Sequence, residues 1–303
     1  MLYRIENGAF VPAEDALAAG RGPVLGLCAL AQAEAVFAAL GLPAVLLDEL
    51  LAGRAARYES HEGFDLLRLA VLDGKKLALS ERPAAIYLDA SRLLIFSDSS
   101  ALRQELDGFV QQAEEPSLDE VLHFLFKQLT MEDSGRLDSM EAAILSLEDH
   151  LLEDRQTGGC AREIAALRRR LFTLKSYYEQ FYDILDGIME NRNHFFGKDA
   201  LVRFRIFAGK LDRLGRRTAN LRDYTTQVRE SYQAQVDIEL NKIMKLFTVI
   251  TAIVAPLTLI TGWYGMNFAV PEYSWRFGYL WALGLSVAVV ALCTVYFKKH
   301  HWF

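Results

Sequence analysis

The chain has 303 residues, 52% of which are hydrophobic, and a formal net charge of −6 at pH 7. This hydrophobic content is high for a protein that is soluble throughout its length. The acidic balance, without any Lys/Arg-rich tract, excludes the usual electrostatic footprint of a nucleic-acid-binding protein. The cysteines Cys28, Cys160 and Cys293 lack CxxC spacing and are expected to be reduced, structural thiols.

Residues 1–112 alternate short apolar runs with turn residues, a pattern typical of a mixed α/β domain. Strands are predicted in LYRIENGAFV, PVLGLCAL, FDLLRLAVLDGKKLAL and AAIYLDASRLLIFSD. The last two segments each predict a pair of strands, with turns near Asp73 and near residues 89–92. Helices are predicted over 31–40 and 45–57. Because no signal peptide follows Met1, this domain is expected to be cytoplasmic.

Residues 113–242 are predicted to form a helical stalk that begins with Ser117 as an N-cap residue. Helices are expected over 137–153, 162–191 and 199–263, and the last of these continues into a membrane. The longest helix carries a seam at alternating steps of three and four residues, formed by Phe204, Phe207, Leu211, Leu214, Thr218, Leu221, Thr225, Val228 and Tyr232. Such a seam predicts packing against neighbouring helices or against other copies of the chain.

Two charge-free runs, 246–271 and 277–297, each exceed the length of about 20 residues that a helix needs to cross a bilayer. Residues 243–303 are therefore predicted to form two transmembrane helices joined by an external loop. The alternative is a pair of buried helices in a soluble core, but helices that are apolar all round are rare outside lipid. Lysines flank the two spans on the side away from the loop: Lys242, Lys245, Lys298 and Lys299. The positive-inside rule therefore predicts an inner-membrane protein with both termini in the cytoplasm.

One face of the first span is small and mildly polar in an otherwise oily helix. This polar stripe recurs at steps of three and four residues and consists of Asn241, Met244, Thr248, Thr251, Ala255, Thr258 and Gly262. One interpretation is close helix packing through small residues. The other is a pore face, and because two spans per chain cannot enclose water, a pore would require a ring of subunits. Pro256 fits both interpretations, since the backbone acceptor that it frees near Ala252 can be satisfied by protein or by water.

The C-terminal sequence has a recognisable pattern. The run NKIMKLFTVITAIVAPLTLITGWYGMNF, followed by PEYSWRFGYLW and a second span ending in YFKKHHWF, resembles the CorA family of divalent-cation transporters. The signature of that family is Gly-Met-Asn after the first of two spans, here Gly265, Met266 and Asn267. The resemblance implies an α+β membrane protein and a homopentamer whose first spans line a pore. It further implies a lipid bilayer as surroundings and inward transport of Mg²⁺, and often of Co²⁺ or Ni²⁺, without a cofactor.

The same resemblance implies roles for individual pore residues. Gly265, Met266 and Asn267 would form an ion filter, in which the Asn267 amide oxygens accept hydrogen bonds from the water shell of the ion. Magnesium gives up its waters reluctantly, so such a filter need not strip them. Met244 and Phe247 lie where family members have a hydrophobic constriction, and Phe247 stands at a position where a leucine is common.

The resemblance also identifies a departure from the family. Members that sense cytoplasmic Mg²⁺ pair a stalk aspartate with an acid from the α/β domain of a neighbouring subunit. Ungapped counting places Ile206 at that position, and isoleucine cannot ligate a hard cation. The sequence therefore predicts weak closure by Mg²⁺, with Ile206 packed at the subunit seam beside Phe204 and Phe207. A sensor elsewhere would need another acid, such as Asp212 or Asp89.

The sequence leaves two other functions open, and Glu272 is one further candidate residue. A ZntB-like zinc transporter would pass a hydrated cation along similar walls. A membrane-anchored sensor or scaffold would use the two spans only as an anchor. An enzyme is not expected, because no nucleophile, base and pocket motif converge in the sequence. Glu272, in the external loop, is expected either to concentrate cations weakly or only to be solvated.

Overall fold

The computed structural model describes residues 2–6, 9–13, 22–51, 56–73, 78–79, 83–113, 117–152, 159–267, 275–300 and 302. The chain divides into two compact units, Met1–Val228 and Arg229–Phe303. The fold class is the expected one, because the first unit combines a sheet with helices and the C-terminal helices are long and apolar. The finer division into residues 1–112, 113–242 and 243–303 stays a prediction.

The first unit contains a mixed sheet. Its strands are β1 (Leu2–Glu6), β2 (Ala9–Pro12), β3 (Val24–Cys28), β4 (Arg57–His61), β5 (Phe64–Leu69), β6 (Leu72–Asp73), β7 (Ala78–Leu79), β8 (Ala84–Asp89) and β9 (Arg92–Phe96). Seven strands form one sheet in the order β2-β1-β3-β9-β8-β5-β4, while β6 pairs with β7. The β3–β9 pair is parallel and the other neighbouring pairs are antiparallel. A parallel pair needs a long crossover, and here the crossover contains helices.

The core of the sheet lies under two short helices of that crossover, α1 (Ala33–Ala39) and α2 (Ala44–Leu51). Phe37 of α1 is 1% exposed, and its ring centroid lies 6.0 Å from that of Phe96 and 6.4 Å from that of Tyr87. Strand β3 is buried along its whole length, and β8 and β9 along most of theirs. Strands buried on both faces favour continuous apolar runs, which is the pattern that the sequence shows here.

The sequence-based assignment is wrong in one place in this domain and incomplete in another. The predicted helix over 45–57 is too long, because Arg57 begins strand β4, which pairs with β5 along its whole length. The hairpin turns at Gly63, whose φ of 84° lies in the left-handed region that favours glycine. Backbone hydrogen bonding between β4 and β5 outweighs the helical spacing of the local sequence. The segment 64–79 was predicted to form one pair of strands. Only its last part does so, as β6 with β7, whereas β5 pairs with β4 and β8.

The remaining helices are α3 (Ser100–Gln112), α4 (Leu118–Leu129), α5 (Asp133–Leu152), α6 (Cys160–Glu190), α7 (Lys198–Tyr264) and α8 (Gly278–Lys299). Helix α3 was not predicted from the sequence, whereas α4 begins directly after the predicted N-cap and α5 to α8 agree with the predicted helices to within four residues at each end. Ser117 caps α4, since its Oγ accepts a hydrogen bond from the Glu120 backbone N–H at 3.3 Å. The bounds of α7 agree with the predicted helix over 199–263 to within one residue at each end.

The predicted seam of α7 packs within the chain. Its members over 204–228 are buried, and Tyr232 is half-buried. Aromatic rings from two other helices meet the seam at Phe207, whose ring centroid lies 6.1 Å from that of Phe126 in α4 and 5.8 Å from that of Phe181 in α6. The spacing of three and four residues therefore reports packing against α4 and α6 in the first unit.

The second unit contains the C-terminal part of α7 and the whole of α8. Both helices contain an 18-residue window with a mean hydropathy of 2.1, long and apolar enough to cross a membrane. Within each window, 6% of the residues are buried. This low burial argues against the alternative of two helices in a soluble core, because such helices would be covered by protein.

A close contact joins the sheet to α6 in the first unit. Tyr58 of β4 lies over Gly187, where an added Cβ would be 2.3 Å from Tyr58 Cδ1. Burial is the main reason that the pKa of Tyr58 rises to about 12. Gly187 is therefore needed for the approach of the ring to the helix.

We expect Gly187→Ala to lower the stability of the first unit by about 1–3 kcal/mol, because overpacking outweighs the better helix propensity of alanine. Thermal unfolding in detergent measures this effect. Gly215→Ala is the matched control, since its Cβ would lie 3.9 Å from Tyr178 Cβ, an ordinary contact. A Gly187→Ala melting temperature equal to or above that of Gly215→Ala would contradict the expectation.

Candidate functional site

The membrane segment of α7 has two contrasting faces within the second unit. On one face Val249 is 3% exposed. The half-buried residues of that face are Ala252, Ile253, Pro256, Leu257, Ile260 and Tyr264. Every member of the polar stripe is exposed, and the helical period places the stripe on the other side of α7. The predicted stripe therefore takes no part in the contact between α7 and α8.

The hydroxyl groups of the stripe present acceptors outward. Thr248 Oγ1 donates to the Met244 carbonyl at 2.8 Å, and Thr258 Oγ1 donates to the Val254 carbonyl at 2.9 Å. Each hydroxyl has one proton, so these bonds leave oxygen lone pairs free to accept. The water shell of a cation presents its hydrogens outward. An uncharged row of acceptors is therefore suited to contact a hydrated cation.

The Gly-Met-Asn turn closes the end of α7. The Gly265 backbone N–H donates to the Thr261 carbonyl at 2.9 Å, and the Met266 N–H donates to the Trp263 carbonyl at 3.3 Å. A Cβ at position 265 would lie 2.9 Å from the Thr261 oxygen, so a side chain there would disturb the last turn of the helix. Asn267 ends this turn, and its side chain is exposed.

Met244, Phe247 and Glu272 are the other residues with a predicted role in ion passage. Met244 is 62% exposed and Phe247 is 60% exposed, so both large apolar side chains project from α7 near the start of the apolar run. Their role as a constriction stays a prediction. Glu272 lies outside the residues that the structure describes.

The acids proposed for metal sensing have partners in their own chain. Asp89 Oδ1 accepts two backbone N–H groups of its own turn, at 2.8 and 2.7 Å. Tyr87 donates to Asp89 Oδ2 at 2.9 Å, and burial together with this hydrogen bond raises the pKa of Tyr87. Asp212 pairs with Arg216 at 2.6 Å. Among the described residues, no group of three or more His, Cys, Asp or Glu side chains is placed to hold a metal ion.

Ile206 does not share a face with its aromatic neighbours on α7. Its side chain is 68% exposed, whereas Phe204 and Phe207 are 1% and 5% exposed and pack inside the chain. The prediction that all three residues meet at one subunit seam is therefore wrong, because the seam of Phe204 and Phe207 is already filled by α4 and α6. A contact of Ile206 with another copy stays a prediction.

From the sequence, Cys293 is expected to be a reduced, structural thiol, and it is a free cysteine in the structure. Its contact was not predicted: Cys293 Sγ of α8 lies 3.7 Å from the Ala252 carbonyl oxygen of α7. The signal was available in the sequence, because Pro256 predicts a free carbonyl at Ala252 and a thiol in the opposite span is a donor that can reach it.

Comparison with known proteins shows which family the chain resembles. A family model described as CorA-like Mg²⁺ transporter protein matches residues 30–299. The cobalt/magnesium transport protein CorA of Thermotoga maritima is 25% identical over 274 residues, which cover 86% of this chain and 76% of that protein. The magnesium transport protein CorA of Helicobacter pylori is 35% identical over 127 residues, which cover 37% of this chain and 40% of that protein.

Solved structures share the fold. The CorA magnesium transporter of Methanocaldococcus jannaschii matches with a TM-score of 0.77 at 19% identity, covering 100% of this chain and 98% of that chain. The full-length CmaX protein matches with a TM-score of 0.75 at 18% identity, covering 99% and 97% of the two chains. The cytoplasmic domain of ZntB from Vibrio parahaemolyticus matches with a TM-score of 0.64 at 13% identity, covering 78% of this chain and 97% of that domain.

The family match spans both units, from the sheet through the stalk to the end of the second apolar helix, and includes the Gly-Met-Asn turn. The two apolar helices are long enough to cross a membrane, which agrees with a family of membrane transporters. The chain belongs to the family of CorA-like Mg²⁺ transporters.

Proposed function

We propose that the protein is a channel-type transporter that admits hydrated Mg²⁺ to the cytoplasm through a pore built by five copies of the chain. The observation that carries this proposal is the exposed polar stripe of α7, which lies away from α8 and presents acceptors. The names of two relatives, a cobalt/magnesium transport protein and a magnesium transport protein, support the choice of ion.

A ring of subunits follows from the shape of the membrane segment. Two helices cannot surround water, so a water-filled path needs several copies with the same helix innermost. The threonine hydroxyls of the stripe keep acceptor capacity that water can use and lipid cannot. The number five rests on the resemblance to the family.

The filter works through the outer shell of the ion. The Asn267 amide oxygens of the ring accept hydrogen bonds from the waters that Mg²⁺ retains. Uncharged amides hold the ion weakly enough for it to leave, which conduction requires. At the cytoplasmic end, Met244 and Phe247 form a hydrophobic constriction that blocks ions by dewetting when it narrows. Both termini lie in the cytoplasm of an inner-membrane protein, with the lysines beside the spans retained inside.

The proposed filter predicts that Asn267→Ala lowers Mg²⁺ influx by more than about tenfold, because the ring of acceptors is lost. The measurement uses proteoliposomes that contain a Mg²⁺-sensitive dye. Asn220→Ala is the matched control, since Asn220 is an exposed asparagine of α7 outside the apolar segment. The variant and the control should have the same oligomer mass in detergent, which we expect to equal five chains.

Normal influx through Asn267→Ala would contradict the filter. A monomer or dimer that conducts would contradict the ring. Influx of Zn²⁺ with none of Mg²⁺ would favour the zinc transporter over the magnesium transporter.

The exposure of Ile206 and the internal partners of Asp89 and Asp212 predict weak regulation by cytoplasmic Mg²⁺. A ligand can shift gating only by binding one state more tightly than the other, and Ile206 cannot ligate the ion. We expect millimolar Mg²⁺ to give little protection of the stalk from limited proteolysis. Strong protection that survives Ile206→Ala but is lost in Asp212→Ala would contradict this expectation and locate the sensor at Asp212.

A further inference from the structure

A proline inside the membrane segment of α7 leaves one backbone carbonyl without its helical donor. Pro256 has no N–H, so the Ala252 carbonyl four residues earlier cannot form its usual hydrogen bond. A free carbonyl is costly in an apolar surrounding, where water does not reach it. Ala252 is half-buried on the α8 side of the helix, so a partner must come from that direction.

Cys293 supplies that partner from the second helix. Its Sγ lies 3.7 Å from the Ala252 oxygen, the length of a hydrogen bond that a thiol donates. Neighbouring hydroxyls of α8 behave differently. Ser286 donates to Ala282 at 2.9 Å and Thr294 donates to Val290 at 2.8 Å, and both bonds stay within α8. The Cys293 contact therefore joins α7 to α8, whereas the two hydroxyls form hydrogen bonds only within α8.

The contact lies at a functionally important depth. Thr251 directly precedes Ala252, and Ala255 directly precedes Pro256, so one member of the polar stripe adjoins the segment that lacks a helical hydrogen bond and another lies within it. A helix weakened at this level can change its direction there. A donor from α8 holds the segment on the side away from the stripe.

We infer that Cys293 is a positioning residue, which fixes the stripe of α7 by donating to the carbonyl that Pro256 leaves free. The effect on transport rests on the proposed function, whereas the contact between the helices does not. The thiol suits this role because it is a weak donor and bonds less readily to carbonyls of its own helix. The Thr294 hydroxyl, by contrast, donates to a carbonyl within α8.

The test is a double-mutant cycle between Cys293→Ala and Pro256→Ala, because alanine at 256 restores an N–H for the Ala252 carbonyl. Mg²⁺ influx into proteoliposomes and the melting temperature in detergent are measured for each protein. We expect Cys293→Ala to lower influx by about two- to fivefold and to lower the melting temperature, which is the effect of losing a weak hydrogen bond. In the Pro256→Ala background the same substitution should change neither quantity.

Thr294→Val is the matched control, since it removes a hydroxyl whose bond stays within α8, and its effect should not depend on residue 256. Equal effects of Cys293→Ala in both backgrounds would mean that the thiol only fills space, and would overturn the inference. A dependence on Pro256 in melting temperature without one in influx would overturn the positioning role. If no protein in the series conducts, the proposed function fails, while the melting temperatures still decide whether the contact exists.

Discussion

A single helix, α7, must satisfy two different surroundings with one hydrogen-bonded backbone, and the rest of the structure depends on how it does so. An α-helix bonds its polar backbone internally, which is why a 67-residue helix can pass from a protein core into an apolar segment. Only the side chains change along its length. Over 204–228 they form a buried seam, and from Asn241 onward they form a stripe that the chain itself leaves uncovered.

In the proposed transporter, the uncovered stripe and the Gly-Met-Asn turn make weak, repeated contacts with a hydrated ion, while Pro256 lies on the other, half-buried face of α7. The threonines present oxygens and no charge, and the acids with described contacts in the stalk, such as Asp212, are engaged with their own chain. Strong ligands would trap a cation that has to leave again. In the proposed arrangement, the Cys293 thiol compensates for Pro256 on the side of α7 away from the stripe.

Periodic features of the sequence were predictable and pairing features were less so. The seam of α7, the cap at Ser117 and the two apolar runs each leave a local pattern, and each agrees with the structure. Strand β4 was missed because its stability comes from pairing with β5, which local spacing does not encode. The contact of Cys293 was not predicted, and the placement of Ile206 beside Phe204 and Phe207 was wrong, for a related reason: the position of a side chain relative to other helices depends on tertiary packing, not on its own neighbours in sequence.

The most direct test asks whether the stripe faces water in the assembled protein. Thr251 and Ile250 are adjacent and both exposed in the chain, but they lie on different sides of α7. In a Cys293→Ser background, Thr251→Cys and Ile250→Cys are treated from outside with a small, positively charged methanethiosulfonate while Mg²⁺ influx is recorded. If the stripe lines the ion path, influx is blocked in Thr251→Cys and unchanged in Ile250→Cys. Block of Ile250→Cys alone, or of neither variant, would contradict a pore along the stripe.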